Sequence, residues 1–559
     1  MTARRSVVAA SALVLVLATV ARAEPPELRR VPAVVHLHSD RSTGEHSYEE
    51  LFGIARRSGV EALLFTEEQR LRIEYGLSPF RALTRVVHEE RSVFVTGVER
   101  YLERIADVRR RLGPDPLLIA GVEVLPHYRW TGSPFDGTLT LRDHQKNLHV
   151  FGVTDAPAIR RLPSIGNPHT RRYGWSSWLD ALPVLLVIPG ATLLARGHPS
   201  PRRIGPAVVI VRRRRWVTGG ALLAVGLAAL IRGWPFTVDA YPWWVDAGVE
   251  PHQALIDEVD RLGGVTMWSF PEAFDEGRRT MGPATVSWRT DAHGNDLLRT
   301  VRYTAFGALY AHPARFVEPG AGWDRMLAEY AAGERSRAAW AMGEEGAHAV
   351  SRGRAFGGIL TVFLVQEKTE AAILEAFRRG RMYALQRTPD ASLVLTEWSV
   401  AMADGGDPRA VSGDTLKLRE GTPIEVRVAV DATGPRPEPA GSGAAGLKVA
   451  LLRNGTVLNG WSGETSVRAT HREVFDGRPL VFRVDARARV PHRLVSNPIF
   501  VMGGPDMAPH TPPRSSRPGE AGTLLENPPS VSKKRRSSAG FARAVDSSAD
   551  AAERAAGPP

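Results

Sequence analysis

Short apolar runs alternate with longer amphipathic stretches through most of this chain. The runs at 33–36, 62–66, 117–123, 148–153, 264–268 and 361–365 have the length of buried strands. Between them, 47–58, 96–112, 251–262 and 369–380 carry apolar residues at helical spacing. That alternation predicts βα units around a mostly parallel sheet. Beyond 390 the pattern changes: TPIEVRVAV, LKVALLRNGTVLNG and PLVFRVDARA read as strands, with Asn454-Gly455 as a hairpin turn, so 391–503 is expected to form a small β-sandwich. Pro, Ser, Ala and charge dominate 504–559, which reads as a disordered tail.

Three stretches are apolar enough to meet a membrane. Residues 1–23 have a basic start, an apolar middle and Ala21-Arg22-Ala23 before Glu24, the form of a secretory signal peptide or N-terminal anchor. Runs near 178–195 and 216–231 approach the ~20 residues of a spanning helix. They enclose Arg196, Arg202, Arg203 and Arg212 to Arg215, a loop expected to stay cytoplasmic. The expected organisation is therefore an exported α/β domain in two parts, 24–177 and 235–390, interrupted by a transmembrane hairpin at 178–234. This places the chain in a bacterial inner membrane with its barrel-sized domain and C-terminal part on the periplasmic side, in contact with membrane lipid through the hairpin. Pro183, Pro189 and Gly190 leave a buried or interfacial hairpin as the alternative.

Composition narrows the chemistry. The 559 residues include no cysteine, which excludes disulfides, thiolate metal sites and cysteine nucleophiles. The formal charge is +12, but thirteen cations lie in the leader, the arginine loop and a tail cluster, and without them it is −1. No nucleic-acid partner is expected from so local a basic balance. Ser39 and Ser42 lack a Gly-x-Ser-x-Gly elbow, and no P-loop or dinucleotide fingerprint occurs.

The sharpest motif is Val34-Val35-His36-Leu37-His38-Ser39, at the end of the first expected exported strand. Side chains two apart on a strand share a face, so His36 and His38 can converge on one ion. Later strands end in Thr66-Glu67-Glu68, Gly121-Val122-Glu123 and the run containing His149, so ligand-type side chains recur at strand ends.

As an ordered set, HLHSDRSTG, GVEALLFTEE, GVEV, LHVFG, LGGVTMWSFPEA and the segment Met342 to His348 resemble the motifs of the polymerase and histidinol phosphatase (PHP) superfamily, across about residues 30–390. The resemblance implies a distorted (β/α)7 barrel holding divalent zinc, manganese or iron, and metal-activated water acting on a phosphoester. It implies metal ligation by His36, His38, Glu67, Glu68, Glu123, His149, Glu345 and His348, with Glu123 bridging, and Glu344 among the further acids available. Departures from the pattern are Glu67-Glu68 in place of Asp-His, Thr43 in place of Asp with His46 nearby, and Phe270 in place of a ligand histidine. They reduce the expected complement to one or two metals. The expected function is a membrane-anchored hydrolase of small phosphoesters or other esters at the cell envelope. The alternative is a catalytically impaired barrel serving as an envelope binding or scaffold protein.

Overall fold

The strand Arg29–Leu37 organises the fold because neighbours cover both its edges and both its faces. It pairs in parallel with Ala62–Phe65, which pairs in parallel with Leu117–Ile119, and its other edge pairs antiparallel with Ile359–Val365. The computed structural model describes residues 28–504 apart from 79, 175–176, 282–283, 349–354, 405–408 and 435–445. The expected signal peptide and disordered tail lie outside the described residues, save Gly504.

A second sheet runs in the order Trp340–Gly343, Ala305–Leu309, Val265–Trp268, Leu148–Phe151, Gly121–Val124, Glu67–Glu68. The two sheets share chain, since Ala62–Phe65 passes through Thr66 into Glu67–Glu68, and Leu117–Ile119 passes through Ala120 into Gly121–Val124. On the opposite side the chain after Gly343 returns to the first strand. There Glu345 N donates to Val35 O at 3.0 Å, Ala347 N to His36 O at 3.1 Å and His38 N to Ala347 O at 3.1 Å.

The expected helices form at Tyr48–Arg57, Val98–Leu112, Glu250–Arg261 and Glu370–Arg379. Ser47 caps the first through a reciprocal box with Glu50, and Thr369 caps the last, which ends at left-handed Gly380. The expectation of a mostly parallel sheet is corrected: Leu148–Phe151 runs antiparallel to both its neighbours. Val124 and Leu148 are joined by short strands, Arg129–Thr131 and Thr140–Arg142, rather than by the crossover helix that a parallel pair requires.

The region expected as a separate sandwich forms two β-layers, one of them continuous with the first sheet. Ser392–Met402, Pro423–Thr433 and Ser466–Val474 make most of a four-stranded layer. Arg493–Ser496 instead pairs with Met382–Gln386 and carries the first sheet on into Leu480–Arg487 and Ile499–Gly503.

Two helical stretches, Ser177–Ala195 and Trp216–Gly233, are long and apolar enough to cross a membrane, with mean hydropathy 1.8 and 1.5. They pack closely where side chains are missing, and a Cβ on Gly190 would fall 2.6 Å from Leu223 N. The arginine loop between them is a two-stranded hairpin, His198–Ile204 with Ala207–Arg213.

Candidate metal centre

Strand ends bring a buried group of imidazoles and carboxylates together at the meeting of the two sheets. His36 Nδ1 lies 2.8 Å from Glu344 Oε1, and His36 Nε2 lies 3.1 Å from His38 Nε2. Glu123 Oε2 stands 3.3 Å from His36 Nε2 and 3.1 Å from His38 Nε2, while its Oε1 is 3.8 Å from His149 Nε2. The His348 ring stacks on His38 with centroids 4.2 Å apart. Three sets offer donor atoms within 4.8 Å of one another: His36, His38 and His348; His36, His149 and Glu344; His38, Glu68 and Glu123.

The His36–His38 convergence uses a bulge rather than regular strand alternation. The pairing register with Ala62–Phe65 shifts between Val35 and Leu37, and His36 adopts φ +70°. A left-handed non-glycine residue costs on the order of 1–3 kcal/mol, and here the hydrogen bonds to 345–347 hold it in place.

Of the eight expected ligands, His36, His38, Glu68, Glu123, His149 and His348 meet in this group. The carboxylates of Glu67 and Glu345 do not. Glu67 accepts from Ser39 N, the hydroxyls of Ser39 and Ser42, and Tyr48 OH, so it braces the loop after His38. Glu345 Oε2 accepts from Ile359 N at 2.7 Å. The physical reason is parity: consecutive residues of an extended chain point to opposite faces, so only one acid of each Glu-Glu pair can turn inward. At 344–345 it is Glu344. Its oxygens also accept from Ser269 Oγ at 2.7 Å and Phe270 N at 2.9 Å. Asn147 Nδ2 similarly donates to Glu123 Oε1 at 2.6 Å. Phe270 packs its ring 4.9 Å from that of His36. Thr43 Oγ1 lies 3.1 Å from His348 Nδ1, whereas His46 faces Glu50.

The electrostatics are those of carboxylates short of a cation. Burial works against a charge on His36, yet Glu123 and Glu344 outweigh it and push its pKa up to about 10. Burial resists ionisation of Glu123 too, but His36, His149 and His38 hold it well below the usual carboxylate range. Glu68 is pushed well up by burial and by the Glu123 charge. Burial and the neighbouring His38 and His36 lower His348 to about 3. His149 is fully buried, and among the described residues neither of its ring nitrogens has a hydrogen-bond partner, the Glu123 and Glu344 oxygens standing off at 3.8 Å. A buried polar group so placed is expensive unless something takes its lone pair, and a divalent cation fits both this vacancy of partners and the mixed nitrogen and oxygen donor set.

The group opens into a cleft of about 550 Å³. One wall comes from the ribbon Arg72–Tyr75 with Val86–Glu89, which contributes Ile73 and His88. The other comes from around the strand Ala284–Thr290 and contributes His144, Gln145 and His293. These histidines carry no motif and were not legible as site residues in the sequence. Arginines that could have bound a phosphate are engaged elsewhere: Arg70 and Arg72 with Glu89, Arg378 with Gly263 O, Arg379 with Glu375 and Arg381 with Asp414. Trp268 is a core residue that stacks on His252 and donates to Thr300 Oγ1.

No protein-family model and no curated protein matches the chain. Among solved structures it is similar to a two-domain protein from Bacteroides vulgatus containing a predicted PHP-like metal-dependent phosphoesterase, at 12% identity over 83% of this chain and 92% of that one, with a TM-score of 0.31. It is also similar to a predicted metal-dependent phosphoesterase from Bifidobacterium adolescentis, at 12% identity over 58% of this chain and 90% of that one, with a TM-score of 0.24.

Proposed function

We propose that the chain is a membrane-anchored, PHP-like metal-dependent hydrolase acting on a phosphoester at the cell envelope. The observation that carries this reading is the largely buried group of four histidines and three glutamates at successive strand ends, with neither nitrogen of His149 hydrogen-bonded among the described residues. Strands shared at one edge and the 345–347 return at the other support a distorted (β/α)7 barrel as the frame. Two apolar helices support the anchor.

His36, His38, His149 and His348, with Glu68, Glu123 and Glu344, would hold one or two divalent ions; zinc, manganese and iron suit such donors. A bound ion supplies Lewis acidity, bringing the ionisation of a water near neutrality and polarising a phosphoryl oxygen. The chain's own residues do the rest. Ser269 and Phe270 N fix Glu344, Asn147 fixes Glu123, and Glu67 fixes the loop that presents His38. His144, Gln145 and His293 line the cleft that would receive the ester group.

Elemental analysis of detergent-purified protein tests the reading. Near-stoichiometric metal in the parent, lost in a His36→Ala/His38→Ala variant, is expected, together with chelator-sensitive hydrolysis of a p-nitrophenyl phosphoester. Absence of metal after reconstitution would overturn it. The second reading, a binding or scaffold barrel without catalysis, draws on Phe270, which brings a hydrocarbon ring against His36. Stoichiometric metal without turnover on any ester would favour it.

A further inference from the structure

A second polar pocket lies at the foot of the apolar hairpin, lined among others by Arg81, Arg85, Arg171, Asp180, Trp243 and Trp244. Arg171 is committed to Asp239 and Glu74, at 3.0 and 3.3 Å. Arg81 and Arg85 are not so committed: among the described residues neither has a carboxylate oxygen within 4.0 Å, and Asp180, though in electrostatic range of Arg85, Arg171 and Arg81, has no cationic nitrogen within that distance. The Arg81 guanidinium lies 4.6 Å from the Trp244 ring centroid and 5.9 Å from that of Trp243, which fixes it without using its N–H donors. Arg85 is held from the other side, donating to Arg232 O, while Arg232 donates to Leu83 O at 2.9 Å.

The pocket's position adds a second constraint. Leu179 and Asp180 open the first apolar stretch, and Gly233 and Trp234 close the second, so the pocket sits where both helices meet the polar body. Trp178 and Trp234 are each 72% exposed there, in the manner of an interfacial aromatic belt. At that depth the abundant ligands are lipid headgroups. Two guanidiniums without a close ion pair match a phosphate, and the Asp180 carboxylate, which feels Arg85, Arg171 and Arg81 across the pocket but contacts none of them closely, matches an amine.

We propose that this pocket binds the zwitterionic headgroup of a phosphoethanolamine-type phospholipid, with its phosphate on Arg81 and Arg85 and its ammonium on Asp180. The site rests on the membrane reading of the hairpin and is independent of the metal centre.

Native mass spectrometry of the delipidated, detergent-solubilised full chain tests the site, with phosphatidylethanolamine, phosphatidylglycerol and inorganic phosphate as probes. Retention of phosphatidylethanolamine above phosphatidylglycerol is expected. It should weaken by about tenfold or more in an Arg81→Ala/Arg85→Ala variant whose thermal melt is unchanged. Asp180→Asn should remove the preference for the ethanolamine lipid while keeping binding to both. Equal retention by the arginine variant overturns the proposal, as does a parent preference for phosphatidylglycerol. Displacement of lipid by millimolar inorganic phosphate would overturn it in favour of a soluble phosphate ligand. Flotation with vesicles separates the failures: a chain that floats without headgroup preference refutes this site alone, and one that floats with no vesicle refutes the anchor.

Discussion

Gly307 leaves room for Glu344. A Cβ there would fall 1.9 Å from Glu344 Oε2, and that carboxylate also holds Ser269 and Phe270 N. Gly307→Ala is therefore expected to displace Glu344 and lower bound metal several-fold while the chain stays folded, as elemental analysis beside a thermal melt will measure. Acidity of the medium acts on buried histidines outside the ligand group. His252, stacked on Trp268 and bonded to Lys146 O, is lowered to about 3 by burial, and His293 to about 4 by burial and Lys146. Both are neutral in the folded chain and take up protons near 6.5 when unfolded. Their stabilisation is complete above pH 6.5 and is lost as pH falls toward 4 for His293 and toward 3 for His252, with a slope of up to about 1.4 kcal/mol per pH unit for each. Melts between pH 7.5 and 4.5 should thus fall more steeply for the parent than for His252→Gln, and equal slopes would refute the assignment. At this scale the sequence made the residue types legible but not their parity. Glu67 with Glu68, and Glu344 with Glu345, are chemically alike within each pair, and which acid turns inward depends on strand pairing set by distant segments. His144 and His293 could not be singled out because they come to the cleft through the fold.

Helices were legible as elements because their ends carry local chemistry: the Ser47–Glu50 box, the Thr369 cap and Gly380 are all present in the sequence itself. Strands Ala305–Leu309 and Trp340–Gly343 carry no strand pattern in the sequence. Both are buried on each face, so neither shows the alternation that marks a half-buried strand. The direction of Leu148–Phe151 was also illegible, since it follows from the route of the intervening chain. Continuity between the first sheet and the C-terminal β-layers has a further support that no pattern announces. Arg483, on Leu480–Arg487, is 1% exposed and makes two 2.6 Å bonds to Asp324, on the helix Gly322–Ala331, with its guanidinium 5.1 Å from the Trp323 ring. Removing one member of a buried pair strands the other. Arg483→Met is expected to cost about 3–5 kcal/mol in denaturant unfolding, and the Asp324→Leu/Arg483→Met double variant clearly less. A double variant as unstable as the sum of its parts would mean the pair is not coupled.

Across the whole molecule, one chain passes from the first half of the α/β body into the apolar hairpin and back into the second half. Ser177–Ala195 and Trp216–Gly233 leave and re-enter at the same end, with the arginine-bearing strands His198–Ile204 and Ala207–Arg213 beyond their far ends. If the helices cross a bilayer, the arginine hairpin and the body lie on opposite sides, and the excess of arginine assigns the hairpin to the cytoplasm. The absence of native cysteine makes this directly measurable. Single variants Arg203→Cys, in the arginine hairpin, and Val490→Cys, at a position 90% exposed on the body, each introduce the chain's one thiol. In intact cells with a permeabilised outer membrane, an impermeant maleimide is expected to label Val490→Cys at once and Arg203→Cys only after the inner membrane is opened. Labelling of both before opening would place the hairpin flat on the surface, and the reverse order would put the candidate metal centre in the cytoplasm. Only the reverse order would remove the envelope phosphoester from consideration, and neither result would disturb the ligand group at the strand ends, because His36, Glu123, His149 and Glu344 are positioned within the α/β body and not by the hairpin.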